Sequence, residues 1–423
     1  MGPSWLPKTI ERLRSRSRVR KPVLYTSVLA TLLAVAAAVS IPSLSMDKPA
    51  GEAQSQSQSK ASMKFPLRAE GGKIVDANGK EVVLTGVNWF GLETGNYAPH
   101  GIWQRNWQQM LDEMVGQGFN TLRLPYSNEA LQAKSIPTQG IDTKMNPDLV
   151  GLNGEQIMDK IVNGATSRGM MVMLDRHRPD QYGQSSLWYT DKVSEETWIN
   201  DWVKLATKYK NNPLVIAADL HNEPHAEATW GDGNEKTDWK MAAERAGNAI
   251  LKANPNMLIV VEGIETYKGE GGKGYWWGGN LQGAKEHPVK LSDQSKLVYS
   301  AHDYSPKVWG QQWFSDPNFP KNMPALWDQQ WGYLVKDNTA PVILGEFGGR
   351  SVDTKDAEGV WQHALIDYLK QNNISYTYWS WNPNSGDTGG IVGEDWTTVN
   401  KDKMDLLKSY QGPMAPKPTN NPA

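Results

Sequence analysis

The stretch VIAADLHNEPH (215–225) starts as an unbroken apolar run and ends in an amide, a carboxylate and a proline. A short apolar run bounded by turn residues predicts a strand buried on both faces, as in parallel sheets covered by helices. Seven further runs read the same way: VVLTGVNW (82–89), NTLRLPY (120–126), MMVMLDRH (170–177), MLIVVEG (257–263), LVYSAHDY (297–304), PVILGEF (341–347) and SYTYWSW (375–381). Between them lie amphipathic stretches such as TWINDWVKLATKYK (197–210), DWKMAAERAGNAILKAN (238–254) and GVWQHALIDYLKQN (359–372), with apolar side chains every three or four residues. Eight strands, each followed by a connection long enough for a crossover helix, predict an α/β fold. Its form is a closed (β/α)₈ TIM barrel, one domain over 64–411. Two connections fit the pattern less well, the Gly-rich 267–288 and the long loop 127–153.

Each run turns polar where it ends. Those ends supply Asn88, Arg123, Asp175 with His177, Asn222 with Glu223, Glu262, His302 with Tyr304, Glu346, and Trp379 with Trp381. In such a barrel the C-terminal strand ends converge on one face, where the site is built. The polar ends are therefore expected to meet although almost 300 residues separate the first from the last.

Outside the barrel the composition changes. Residues 1–22 hold Lys8, Arg12, Arg14, Arg16, Arg18, Arg20 and Lys21 against the single acid Glu11, and the apolar run 23–39 follows. This predicts a bacterial export signal over 1–45, cleaved or kept as a membrane anchor. The product is then secreted or periplasmic, with the membrane involved only if the anchor stays. Without those 45 residues, 37 basic side chains face 45 acidic ones. That net charge of −8 argues against nucleic acid as a partner. There are no cysteines, so disulfides, thiol catalysis and cysteine-type zinc sites are excluded. Residues 46–63 read as a disordered Gln/Ser-rich spacer and 412–423 as a Pro-rich disordered tail with no accessory module behind it.

Two carboxylates facing each other across a barrel mouth, here Glu223 and Glu346, are equipment for cleaving a glycosidic bond. One protonates the leaving oxygen while the other attacks the anomeric carbon. Arg123 would hold a nearby carboxylate ionised. Asn222 could bond a sugar hydroxyl, and His302 and Tyr304 supply neutral donors. Trp379, and Trp277 on the leaving side, offer flat faces to pyranose rings. Nineteen tryptophans against six phenylalanines suit that reading, although many indoles should simply fill the core. A metal site built from Asp175, His177, Glu223 and His302 is disfavoured, because neither an HxH strand end nor a helical histidine pair is present. No cofactor is expected.

The motifs then become specific. IAADLHNEPH (216–225) resembles the acid/base signature of glycoside hydrolase family five, and LGEFG (344–348) resembles that family's nucleophile motif. GVNWFGLET (86–94), NTLRLPYS (120–127), DRHRP (175–179), YWWGGNLQGA (275–284), AHDY (301–304) and YWSWNPNSGDTGGI (378–391) resemble its bacterial endo-β-1,4-glucanases, so the likeness covers about residues 70–410. It implies a retaining glycosidase with Glu223 as acid/base and Glu346 as nucleophile. Arg123, His177, Asn222, His302, Tyr304 and Trp379 would complete the cleavage subsite. The expected substrate is soluble or amorphous β-1,4-glucan, cut internally by a monomer. A β-mannanase or xyloglucanase with the same pair, and a catalytically silent sugar-binding barrel, are the alternatives.

Overall fold

A computed structural model of the protein describes residues 62–270, 272 and 274–418. They fall within one compact unit, Ser59–Ala423. The proposed export segment lies outside the described residues, as does the spacer up to residue 61. Among the described residues no helix is long and apolar enough to cross a membrane.

A short antiparallel hairpin comes first, β1 (Arg68–Glu70) with β2 (Lys73–Val75). All eight expected strands follow: β3 (Thr85–Asn88), β4 (Thr121–Ser127), β5 (Met171–Arg178), β6 (Val215–Asp219), β7 (Leu258–Glu262), β8 (Leu297–His302), β9 (Val342–Glu346) and β10 (Ser375–Tyr378). They pair in parallel, each with the next, and β10 closes on β3. The result is the (β/α)₈ barrel that the apolar runs predict.

Side chains alternate across a strand, so every second residue enters the barrel. Along β5, Met171 and Met173 join the interior apolar cluster, whereas Val172 and Leu174 pack outward under the helices. The next two inward positions are Asp175 and His177. On β7, Leu258 and Val260 are likewise succeeded by Glu262. Apolar packing therefore fills the lower barrel and charge crowns it.

The connecting helices are α1 (Trp107–Gly116), α2 (Gly154–Ser167), α3 (Glu195–Lys208), α4 (Trp239–Ala253), the short α5 (Met323–Trp327) and α6 (Tyr333–Lys336), α7 (Ala357–Gln371) and α8 (Lys401–Lys408). Side-chain caps start several of them; Ser194 accepts from the Thr197 N–H at α3 and Asp238 from the Met241 N–H at α4. The expectation of a crossover helix after every strand fails once. Between β7 and β8 only single 3₁₀ turns form, because the Gly-rich 267–288 stretch has too little helix propensity to propagate one.

Thirteen of the 18 described tryptophans are buried, so structural indoles outnumber exposed ones. Some of them fix the strand ends. Trp198 and Trp202 of α3 both donate to the Leu220 carbonyl, at 2.9 and 3.1 Å, and Trp239 of α4 donates to the Glu262 carbonyl at 2.8 Å.

The expected disordered tail is corrected at 412–418. Gly412 N–H donates to Thr85 Oγ1 at 2.9 Å, Asn120 Nδ2 donates to the Pro413 carbonyl at 3.1 Å, and Ala415 joins the interior apolar cluster. Met63 joins the same cluster, so the spacer boundary at 63 also moves inward. Both segments close the barrel floor, where apolar ends would otherwise meet water.

Candidate active site

Glu346 is the last residue of β9, where it is buried among donors. Arg123 Nη1 reaches its Oε1 at 2.7 Å, and the Tyr304 hydroxyl donates to its Oε2 at 2.6 Å. Arg123, midway along β4, is fully buried and pairs with three more carboxylates: Asp175 at 3.1 Å, Asp219 at 2.9 Å and Glu262 at 3.1 Å. Asn88 and Asn222 accept its remaining protons at 3.0 and 3.1 Å. Burial alone would pull the guanidinium down, but the carboxylates around it hold its pKa well above the usual value.

The sequence places Glu223 at a strand end, but β6 stops at Asp219, four residues earlier. The chain turns there, and Glu223 takes a left-handed backbone, φ +52°. That conformation costs a non-glycine residue on the order of 1 kcal/mol, strain that concentrates at functional sites. The turn aims its carboxyl at the barrel axis. His302 Nδ1 lies 3.0 Å from Oε1, and Gln184 Nε2 donates to Oε2 at 2.7 Å. Glycine is required at Gly278, φ +67°, because a Cβ there would sit 2.4 Å from Glu262 Oε2.

The two glutamates meet across the axis: one oxygen of each, with a His302 nitrogen, lies within 4.8 Å of the others. Above them opens a cleft of about 650 Å³, lined among others by His177, Tyr304, Trp276, Trp277, Trp309 and Trp379. Trp379 stacks at 8° to the His177 ring, and Trp277 stacks at 8° and 3.9 Å on His225.

Burial raises Glu346 above the ordinary carboxylate range, with His302 and Arg123 opposing. Burial pushes Glu223 the same way, but the His302 and Gln184 hydrogen bonds overcome it and leave Glu223 lowered. His302 would lose its proton through burial, yet Glu262, Glu346 and Glu223 surround it and raise its pKa well above 6.5. A proton is thus kept on the His302–Glu223 contact. Burial also lifts Asp175 and Glu262 to about 7 and Asp219 to about 6, and lowers His177 to about 4. His177 is neutral at pH 7, with Nδ1 2.6 Å from Asp175.

All nine residues singled out from the sequence come together, but not in one layer. His177, Glu223, Trp277, Tyr304, Glu346 and Trp379 line the cleft. Arg123, Asn222 and His302 are fully buried beneath it. Arg123 contacts Glu346, as read from the sequence, His302 contacts Glu223 and Glu262, and Asn222 faces Arg123 and Gln184, the latter at 3.3 Å. Gln184 was not foreseen, since its loop DQYGQSSLW carries no distinguishing pattern. Asp175, His177 and Glu346, like Glu223, His302 and Glu346, are spaced closely enough to hold a cation. Bound protons already bridge both groups: Arg123 spans Asp175 and Glu346, and His302 Nδ1 stands 3.0 Å from Glu223 and 3.6 Å from Glu346.

Residues 75–385 match the family described as Cellulase (glycosyl hydrolase family 5). The chain belongs to glycosyl hydrolase family 5. Within the family it is 55% identical over 354 residues to an endoglucanase of Paenibacillus polymyxa, an alignment covering 84% of this chain and 89% of that protein. It is 46% identical over 342 residues to the major extracellular endoglucanase of Xanthomonas campestris pv. campestris, covering 80% of this chain and 70% of that one. The solved catalytic domain of the major endoglucanase from that organism superposes with a TM-score of 0.77 at 47% identity, over 80% of this chain and 98% of that structure. An endocellulase from Pyrococcus horikoshii, solved in complex with cellotetraose, is 42% identical with a TM-score of 0.76 over 82% of this chain and 99% of that structure. The barrel is that of a glycoside hydrolase.

Proposed function

We propose that this family 5 glycoside hydrolase is an endo-β-1,4-glucanase that cleaves internal bonds with retention of configuration. The observation that carries the reading is the separation of the two carboxylates, with oxygens within 4.8 Å. Retaining enzymes place their carboxyl groups about 5–5.5 Å apart, whereas inverting ones need roughly 6.5–9.5 Å to admit a water. The relatives named as endoglucanases, and the cellotetraose complexes, support β-1,4-glucan as the substrate.

In the first step Glu346 attacks C1 of the sugar in the cleft while Glu223 gives its proton to the departing oxygen. Arg123 and Tyr304 hydrogen-bond Glu346 and aim it, and Arg123 favours its ionised form against burial. The proton shared between His302 and Glu223 supplies the acid. Once Glu346 is esterified its negative charge is gone, and Glu223, now a carboxylate beside neutral His302, takes a proton from water, which restores the shared proton. That water frees the sugar. Proton NMR of cellotetraose hydrolysis tests the stereochemistry: the β-anomer appears first if the reading holds, and first appearance of the α-anomer contradicts it.

Trp379 presents an indole beside the reacting glutamates, and apolar sugar faces suit it. Trp379→Ala is expected to lower kcat/KM on cellotetraose about 10- to 100-fold, the loss of one stacked ring. An unchanged value would remove Trp379 from the subsite.

Export followed by action outside the cell is part of the same proposal. The basic segment and apolar run before residue 45 support it, as does a relative named as extracellular.

A further inference from the structure

Glu262 sits at the end of β7, fully buried, between the two parts of Glu223 that matter. Its Oε2 accepts the Glu223 backbone N–H at 2.8 Å, inside the left-handed turn. Its Oε1 lies 3.3 Å from His302 Nε2, and the other ring nitrogen of His302 is 3.0 Å from Glu223 Oε1. The same Oε1 accepts a hydrogen bond from Arg123 Nη2 at 3.1 Å. Gly278 packs over this carboxylate without a side chain, and Trp239 fixes the Glu262 carbonyl from behind. The mechanism so far gives Glu262 no task.

We propose that Glu262 is the positioning residue of the acid/base, holding the Glu223 turn through its backbone N–H and keeping a proton on the His302–Glu223 contact through His302. The proposal rests on the reading of Glu223 as acid/base. A carboxylate against Nε2 favours the imidazolium, whose Nδ1–H then faces Glu223. Removing that negative charge lowers the proton affinity of the whole His302–Glu223 unit. The charged groups facing Glu262 are Arg123 from β4, Asp175 from β5, Asp219 from β6, Glu223 from the turn, His302 from β8 and, across that histidine, Glu346 from β9. Glu262→Gln changes one charge among them and keeps the shape. Burial lifts Glu262 toward neutrality, so its charge is felt most at and above pH 7.

The test compares kcat/KM for cellotetraose, whose leaving group needs a proton, with that for an aryl β-cellobioside carrying an activated dinitrophenolate, which leaves without one. Glu262→Gln is expected to lose about 10-fold on cellotetraose, part of what general acid catalysis contributes, and to stay within about twofold on the aryl substrate. The basic limb of the cellotetraose pH profile should move down by about one unit, as for loss of a charge at this range. Equal losses on both substrates, or an unmoved basic limb, overturn the proposal. Should Glu262→Gln fail to fold, Glu262→Asp keeps the charge but withdraws it from the Glu223 N–H, and the same substrate-dependent loss is expected. Glu223→Gln runs beside them. If it loses the aryl substrate as fully as cellotetraose, the acid/base assignment itself has failed, a result separable from failure of Glu262.

Discussion

Glu346→Gln is expected to abolish glucan hydrolysis, with kcat reduced on the order of 10⁴-fold or more, while the barrel stays folded. An amide has no nucleophilic oxygen able to form the glycosyl ester, and removing a covalent nucleophile leaves only the contributions of binding and positioning. The substitution is mild structurally, since the amide oxygen can still accept from Arg123, which stands 2.7 Å from Oε1. Reducing-sugar release from carboxymethylcellulose, mixed-linkage glucan and glucomannan is the measurement, with the wild-type protein beside the variant. Cleavage of the glucans by the wild type alone supports both the chemistry and the substrate class. Preference for glucomannan would move the substrate toward mannan, and no release by either protein would favour a silent sugar-binding barrel.

Arg123→Met should produce the largest loss of stability of any single change in the barrel mouth. The guanidinium is the shared partner of Asp175, Asp219, Glu262 and Glu346, all within 3.1 Å. Removing one member of a buried ion cluster typically costs about 3–5 kcal/mol, because the others stay buried without compensation. For a domain of this size that corresponds to roughly 4–7 °C in melting temperature. The pH dependence identifies the cause. Asp175, Asp219 and Glu262 already titrate near 7, 6 and 7, above their ordinary values. From about pH 4 to 7 the folded state therefore binds more protons than the unfolded one, and stability falls as pH rises through that window. Arg123 opposes this in the wild type by favouring the ionised carboxyls. Without it the slope steepens, so the deficit measured by denaturant unfolding should be larger at pH 7 than at pH 5. A deficit equal at both pH values would assign the loss to packing instead.

The barrel was legible because strands buried on both faces must be apolar almost throughout, and because the first polar residue after each run marks the strand's exit into the site. Asp175 and His177 on β5, and His302 on β8, were placed by that rule alone. The hairpin β1–β2 escaped it, since three-residue strands are too short to show a period. The tail 412–418 escaped because proline and small residues look alike whether they are solvated or laid along a barrel floor. The backbone of Glu223 was assigned wrongly, as a left-handed turn at a glutamate has no local sequence signal; its supports, the Glu262 carboxylate and the Gly278 approach, are distant in the chain. That Arg123, Asn222 and His302 lie fully buried beneath the cleft was illegible for a related reason. A strand-end position does not distinguish a side chain that lines the cleft from one that lies a layer beneath it.

In the proposed mechanism Glu346 forms the covalent bond to the sugar. Incubating the protein with a 2-deoxy-2-fluoro-β-cellobiosyl fluoride, which forms the glycosyl-enzyme quickly and releases it slowly, and mapping the labelled peptide by mass spectrometry tests this directly. The label is predicted on Glu346 within LGEFGG (344–349) and absent from Glu346→Gln. A label on Glu223, or turnover of the substrate with no covalent species at any residue, would contradict the assignment of the two carboxylates.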